Sequence, residues 1–193
     1  MNLPNKITLV RILMIPLVMF FYLADFIPYG KAVAIFLFVL AAYTDHLDGA
    51  IARKRNLVTD LGKFLDPIAD KLLVSSTLFL IICDGTVVTP WGAIIATIII
   101  GREFMVSALR MVAVRKNIVV AADFWGKLKT AVTDVALPLF MFVALANQYD
   151  FLGETWLKVF TIVSYVALGI ATALTIMSGI NYIVKNKDVF KQD

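Results

Sequence analysis

Apolar residues run along this chain in six long blocks, roughly Ile7–Ala24, Ala32–Ala52, Ile68–Cys83, Trp91–Val114, Leu128–Ala146 and Trp156–Val184. Polar or turn-forming residues separate them, among them Ile27-Pro28-Tyr29-Gly30, Asp84-Gly85, Thr89-Pro90 and Asn147-Gln148-Tyr149-Asp150. Blocks of this length without internal turn signals predict helices of membrane-spanning size. Pro4, following Asn2, marks a short helix start at the membrane surface ahead of the first block. The expected fold is an all-α membrane protein of six transmembrane helices, one domain over residues 1–193.

Composition supports that reading. The chain is 61% hydrophobic and 17% charged, against about 45–50% and about 25% in a soluble domain. With a mean hydropathy of +0.87, it carries more apolar surface than one core of this size can hide. A secreted domain, a disordered tail and an ordinary cytosolic enzyme are excluded. One cysteine, Cys83, allows no intrachain disulfide and no cysteine-rich metal site. Leu23-Ala24-Asp25-Phe26 is a poor signal-cleavage site, so the first block is read as retained.

Charge then sets orientation. With six spans, one face collects Lys6, Arg11, Arg53, Lys54, Arg55, Lys63, Lys71, Arg110, Arg115, Lys116, Lys127, Lys129, Lys185, Lys187 and Lys191. The opposite face has Lys31 and Lys158, and Arg102 lies deep within a span. This bias puts both termini in the cytoplasm of a multi-pass cell-membrane protein. The net charge of +4 is thereby assigned to orientation and anionic lipid, not to nucleic acid.

The second and third blocks carry the chemistry. Ala32–Tyr43 and Leu72–Cys83 are each only a dozen residues, about 18 Å of helix at about 1.5 Å per residue, whereas the hydrocarbon core is about 30 Å thick. Both helices must therefore continue into polar sequence, taking Asp45 and Asp48 on one, Asp66 and Asp70 on the other, into the cytoplasmic edge of the membrane. Asp45, Asp48 and Ala52 share a helical face, and Gly62, Asp66 and Asp70 follow an i, i+4, i+8 series. Pro67 bends that series or marks the true helix start. Converging carboxylates at such depth call for cations. Oxygen ligands alone point to Mg²⁺, Mn²⁺ or Ca²⁺ rather than zinc. A pair of ions bridged by shared carboxylates suits in-line attack at phosphorus. The plain alternative is pairing of the aspartates with Arg53, Lys63 and Lys71 at a solvated edge.

The run Asp45-His-Leu-Asp48-Gly49-Ala-Ile-Ala52-Arg53, eight residues, then Gly62-Lys-Phe-Leu-Asp66-Pro-Ile-Ala-Asp70 resembles the D-x-x-D-G-x-x-A-R-x(8)-G-x-x-x-D-x-x-x-D signature of the CDP-alcohol phosphatidyltransferases at every fixed position. The resemblance implies transfer of a phosphatidyl group from CDP-diacylglycerol to an alcohol with release of CMP. It implies Asp45, Asp48, Asp66 and Asp70 as ligands of Mg²⁺ or Mn²⁺, two ions, with Asp70 also the general base. Gly49, Ala52 and Gly62 would line the cytidine pocket and Arg53 would meet the diphosphate. Asn5, Thr8 and Arg11, on one side of the first helix, could approach the nucleotide phosphates or simply make an amphipathic start. A homodimer is also implied, for which the sequence marks no interface.

The acceptor is read from the fourth and fifth blocks. Glu103 and Arg110 share a face, as do Lys127, Thr130 and Asp134. Arg110, Lys127, Lys129 and Thr130 are the candidates for holding an acceptor phosphate, with membrane-edge anchoring as the alternative for the cations. Gly126-Lys-Leu-Lys-Thr130 and the Asn2–Arg11 start resemble the family members that use sn-glycerol 3-phosphate, which would make phosphatidylglycerophosphate the product. Arg102-Glu103 reads first as a structural buried pair, and His46 as a passenger between two aspartates. Rival readings are an inositol-phosphate or other alcohol acceptor and, from another class, a small divalent-cation transporter. The transporter explains the aspartates but not the regular glycine, alanine and arginine between them.

Overall fold

A computed structural model describes residues 3–54, 60–115 and 124–186; within these, the side chains at 3–4, 45–54, 60–61, 63–64 and 114–115 lie outside the description. The described residues form six α-helices: α1 (Leu3–Leu23), α2 (Gly30–Lys54), α3 (Asp60–Cys83), α4 (Trp91–Arg115), α5 (Phe124–Tyr149) and α6 (Glu154–Lys185). Each expected block falls within one helix, except that Ala24 lies one residue past the end of α1. Four of the six, α1, α4, α5 and α6, are long and apolar enough to cross a membrane. In α2 the apolar part is the shorter Gly30–Thr44, because the helix runs on into the acidic segment.

Of the two roles read for Pro67, that of a helix start is excluded: α3 begins at Asp60 and carries Pro67 in its interior. Helix α1 is continuous from Leu3, and Asn5, Thr8 and Arg11 on its first turns are buried.

Helices adjacent in sequence make the largest contacts, α1 with α2 and α5 with α6. Helix α1 also packs on α3, and α5 packs on both α2 and α3. Helix α4 lies against α3 and α6. The core is a continuous apolar cluster that includes Val18, Phe38, Ile81, Ile99, Phe140 and Leu168, at least one from each helix. By contrast α6, with 32 residues, exposes Ile162, Val166, Ile170, Ile176, Ile180 and Val184 along its length. Exposed aliphatic faces of this extent are expected where the solvent is lipid.

The loops remote from the aspartates are tied by side chains. Tyr22 donates its hydroxyl proton to Asp84. The Lys31 ammonium is 3.6 Å from the same carboxylate. The other Asp84 oxygen accepts from the Thr86 amide at 2.9 Å, closing the turn in which Gly85 takes φ +78°. The Tyr29 amide donates to Tyr149 Oη at 2.6 Å, and the two rings stack at 4.7 Å. Gly30 allows α2 to start hard against α1: a Cβ there would lie 2.5 Å from the Phe21 carbonyl oxygen.

Candidate active site

The acidic end of α3 is held from two sides. On one, α1 presents Asn5, Thr8 and Arg11, spaced three apart and therefore on one face. Thr8 Oγ1 donates to Asp66 Oδ1 at 2.7 Å. Burying this polar face costs hydration, and at Thr8 the hydroxyl recovers a hydrogen bond by orienting the Asp66 carboxylate. Gly62, about one turn before Asp66, is buried as well.

On the other side, a cleft between α3, α4 and α5 is lined by Asp70, Lys71 and Ser75 of α3, Glu103 of α4, and Lys129 and Thr130 of α5. Lys129 is buried and its Nζ donates to Glu103 Oε1 at 2.5 Å. Arg102 Nη1 donates to that same oxygen at 2.9 Å. Two cations thus meet one carboxylate, and one positive charge in the group is left for another anion.

The sequence candidates divide accordingly. Thr8 and Asp66 are brought into contact, while Asp70, Lys129 and Thr130 share the cleft. Arg110 and Lys127 are exposed and neither lines the cleft. From α5 it is Lys129, Thr130 and Thr133 that line the cleft, with Thr130 alone of the Lys127, Thr130 and Asp134 set among them. The side chains of Asp45, Asp48, Ala52 and Arg53, and the environment of Gly49, lie outside the described residues; the backbone that carries them is helical through Lys54.

Two cleft residues are absent from the site read in the sequence. Lys71, placed there among the orienting cations and as a partner for the aspartates, lines the cleft with Asp70. Glu103 forms the expected buried pair with Arg102 but is also bound by Lys129, 26 positions on and in another helix. Charge patterning within one helix cannot reveal a pair made across two.

The donor set suits a hard divalent cation. Asp66 and Asp70 stand i, i+4 on α3, and α3 is in contact with the helix that carries Asp45 and Asp48. The oxygens are carboxylate, and one is already steered by a hydroxyl, as ligands commonly are by a second layer of hydrogen bonds. Among the described residues, three or more such ligands are not gathered at one point, so the set would be completed from α2.

Residues 1–177 match the CDP-alcohol phosphatidyltransferase family. The chain belongs to that family. Its relatives include a CDP-diacylglycerol–glycerol-3-phosphate 3-phosphatidyltransferase of Bacillus subtilis (strain 168), 39% identical, with 98% of this chain and 97% of the relative covered. A protein of the same name from Rickettsia bellii (strain RML369-C) is 36% identical over 98% of this chain and 97% of its own length. A probable phosphatidylglycerophosphate synthase of Mycobacterium tuberculosis (strain CDC 1551 / Oshkosh) is 33% identical, covering 95% and 81%. As a phosphatidyltransferase, the chain has in Asp66 and Asp70 the second half of its family signature. It also has a narrow cleft, of about 10 Å³, lined by Asp70 together with Lys71 and Lys129.

Proposed function

We propose that this protein transfers the phosphatidyl group of CDP-diacylglycerol to sn-glycerol 3-phosphate, giving phosphatidylglycerophosphate and CMP. The observation that carries the acceptor is likeness over nearly the whole chain to relatives bearing that activity in their names. The cleft supplies its physical form, since Lys71 and Lys129 stand beside Asp70 where a phosphate on the acceptor needs cations.

Asp70 takes the proton of the acceptor hydroxyl as its oxygen bonds to phosphorus and the bond to CMP breaks. Lys129, Lys71 and the Thr130 hydroxyl bind the acceptor phosphate and so bring the hydroxyl to Asp70. Arg53 meets the diphosphate, and Gly49, Ala52 and Gly62 leave room for the cytidine. Asn5, Thr8 and Arg11 approach the nucleotide phosphates of CDP-diacylglycerol, and Thr8 also steers Asp66. Asp45, Asp48, Asp66 and Asp70 would hold Mg²⁺ or Mn²⁺, two ions, which when bound neutralise the diphosphate and the charge developing on the leaving group. All six helices span the cell membrane with both termini cytoplasmic, so the site opens to cytosolic acceptor and, sideways, to lipid. A homodimer is consistent with the family.

The test is CMP release by purified protein in lipid, supplied with CDP-diacylglycerol and Mg²⁺ or Mn²⁺ and offered glycerol 3-phosphate, inositol phosphate, inositol or serine. Turnover is expected with glycerol 3-phosphate, abolished by chelator and restored by either metal. Turnover with inositol phosphate alone would overturn the acceptor, and chelator-resistant turnover the metal.

A further inference from the structure

The charged group behind the cleft has an organisation that simple anchoring does not require. Glu103 offers one oxygen, Oε1, to both Lys129 and Arg102. Arg102 lies on α4 but occupies space that α5 and α6 leave open. A Cβ added to Gly126 on α5 would stand 3.4 Å from Arg102 Nη2, and one added to Gly179 on α6 would stand 3.3 Å from Arg102 Cγ. Gly179 on α6 leaves the room that the arginine stem takes, and Gly126 on α5 stands in ordinary contact range of its guanidinium. Its Nε is buried without a hydrogen-bond partner among the described residues, an arrangement that costs stability rather than adding to it. A buried guanidinium retained at such a cost, ending on the carboxylate that grips a cleft lysine, calls for a role beyond packing.

We propose that Glu103 is a positioning residue for acceptor recognition: it fixes the Lys129 ammonium on the cleft wall facing the acceptor phosphate, and Arg102, with room for its stem at Gly179, fixes Glu103. The proposal rests on the reading above that Lys129 binds that phosphate. The physical need follows from the lining of the cleft. Lysine has a flexible four-carbon stem, and Asp70 lines the same cleft. An untethered ammonium there would be drawn to the Asp70 carboxylate, removing the base and the phosphate ligand together. Held by Glu103, the ammonium keeps two of its three protons for the acceptor. Arg102, donating to the same Glu103 oxygen, in turn holds that carboxylate where it grips Lys129 and offsets its charge on the cleft wall.

Steady-state kinetics of Glu103→Gln, which keeps the shape but removes the charge, test this. The KM for glycerol 3-phosphate should rise about tenfold, the worth of one charge-assisted hydrogen bond, with the KM for CDP-diacylglycerol unchanged. Lys129→Met should raise the same KM, and adding Glu103→Gln to it should raise it no further. Gly179→Ala, which presses on Arg102 without touching any charge, should move the same KM in the same direction by a smaller factor. An unchanged KM for glycerol 3-phosphate in Glu103→Gln, or additive effects in the double variant, would overturn the proposal and leave a structural ion pair. If Glu103→Gln does not fold, Glu103→Asp, which withdraws the carboxylate by one methylene, reads the same split between the two KM values. Failure of the wild-type protein to release CMP with glycerol 3-phosphate, or an unchanged KM in Lys129→Met, would instead sink the underlying reading.

Discussion

One hydroxyl joins the start of the chain to its acidic centre. Thr8 donates to Asp66 from α1, and nothing else about a threonine near an N-terminus would single it out. Valine has the same shape without the donor, so Thr8→Val isolates the bond. With a neighbour's hydrogen bond gone, a metal-ligating carboxylate loses its aim, which typically costs ten- to a hundredfold in metal affinity or activity. The metal concentration for half-maximal activity should therefore rise at least about tenfold in Thr8→Val, measured by titrating Mg²⁺ or Mn²⁺ into stripped enzyme; an unchanged midpoint would make the contact merely structural. The face containing Thr8 was legible in the sequence, since Asn5, Thr8 and Arg11 recur every three residues. Its depth was not, because periodicity shows which side chains travel together and not what covers them. The pairing of Glu103 with Lys129 was equally hidden, as both residues read correctly as charges and neither points to the other.

Among the helices, α2 and α3 are the unusual pair. Their acidic continuations were predictable from a length argument, because a dozen apolar residues do not reach across a bilayer. Helix α3 shows where such reading stops. A proline normally removes a hydrogen bond and strains the preceding turn, yet Pro67 lies inside the helix between Asp66 and the rest of the span. Local preference is overridden there by the packing of α3 against α1, α4 and α5. The junction of α1 and α2 is the opposite case, a sharp local demand. Gly30→Ala sets a methyl 2.5 Å from a backbone oxygen that cannot rotate away, so the hairpin must open. A loss of about 1–3 kcal/mol is expected, the usual cost of overpacking, seen as a lower thermal midpoint in detergent. An unchanged midpoint would show that the α1–α2 turn yields freely.

For the molecule as a whole, the segregation of basic residues makes orientation the decisive prediction. In a Cys83→Ser background, Lys158→Cys should react with a membrane-impermeant maleimide in intact cells, and Lys127→Cys only after permeabilisation. Both lysines are exposed, so access to the reagent reports sidedness, and the reverse pattern would invert the topology. The number of helices and the apolar boundaries were readable because each block is long and cleanly interrupted. The arrangement of α5 against α2, α3 and α6 was not, since an apolar helix looks the same in sequence whether it faces protein or lipid. Helix α6 faces lipid. Its 32 residues make about 48 Å of helix at about 1.5 Å per residue, against roughly 30 Å of hydrocarbon. A rod that overshoots its solvent by so much leans, or carries apolar side chains into the headgroup layer. Because α6 packs on α4 and α5, both of which line the cleft beside Asp70, a change in its tilt reaches them. A thinner or thicker bilayer would thus press first on α6, the longest of the six helices, and only through it on the rest of the bundle.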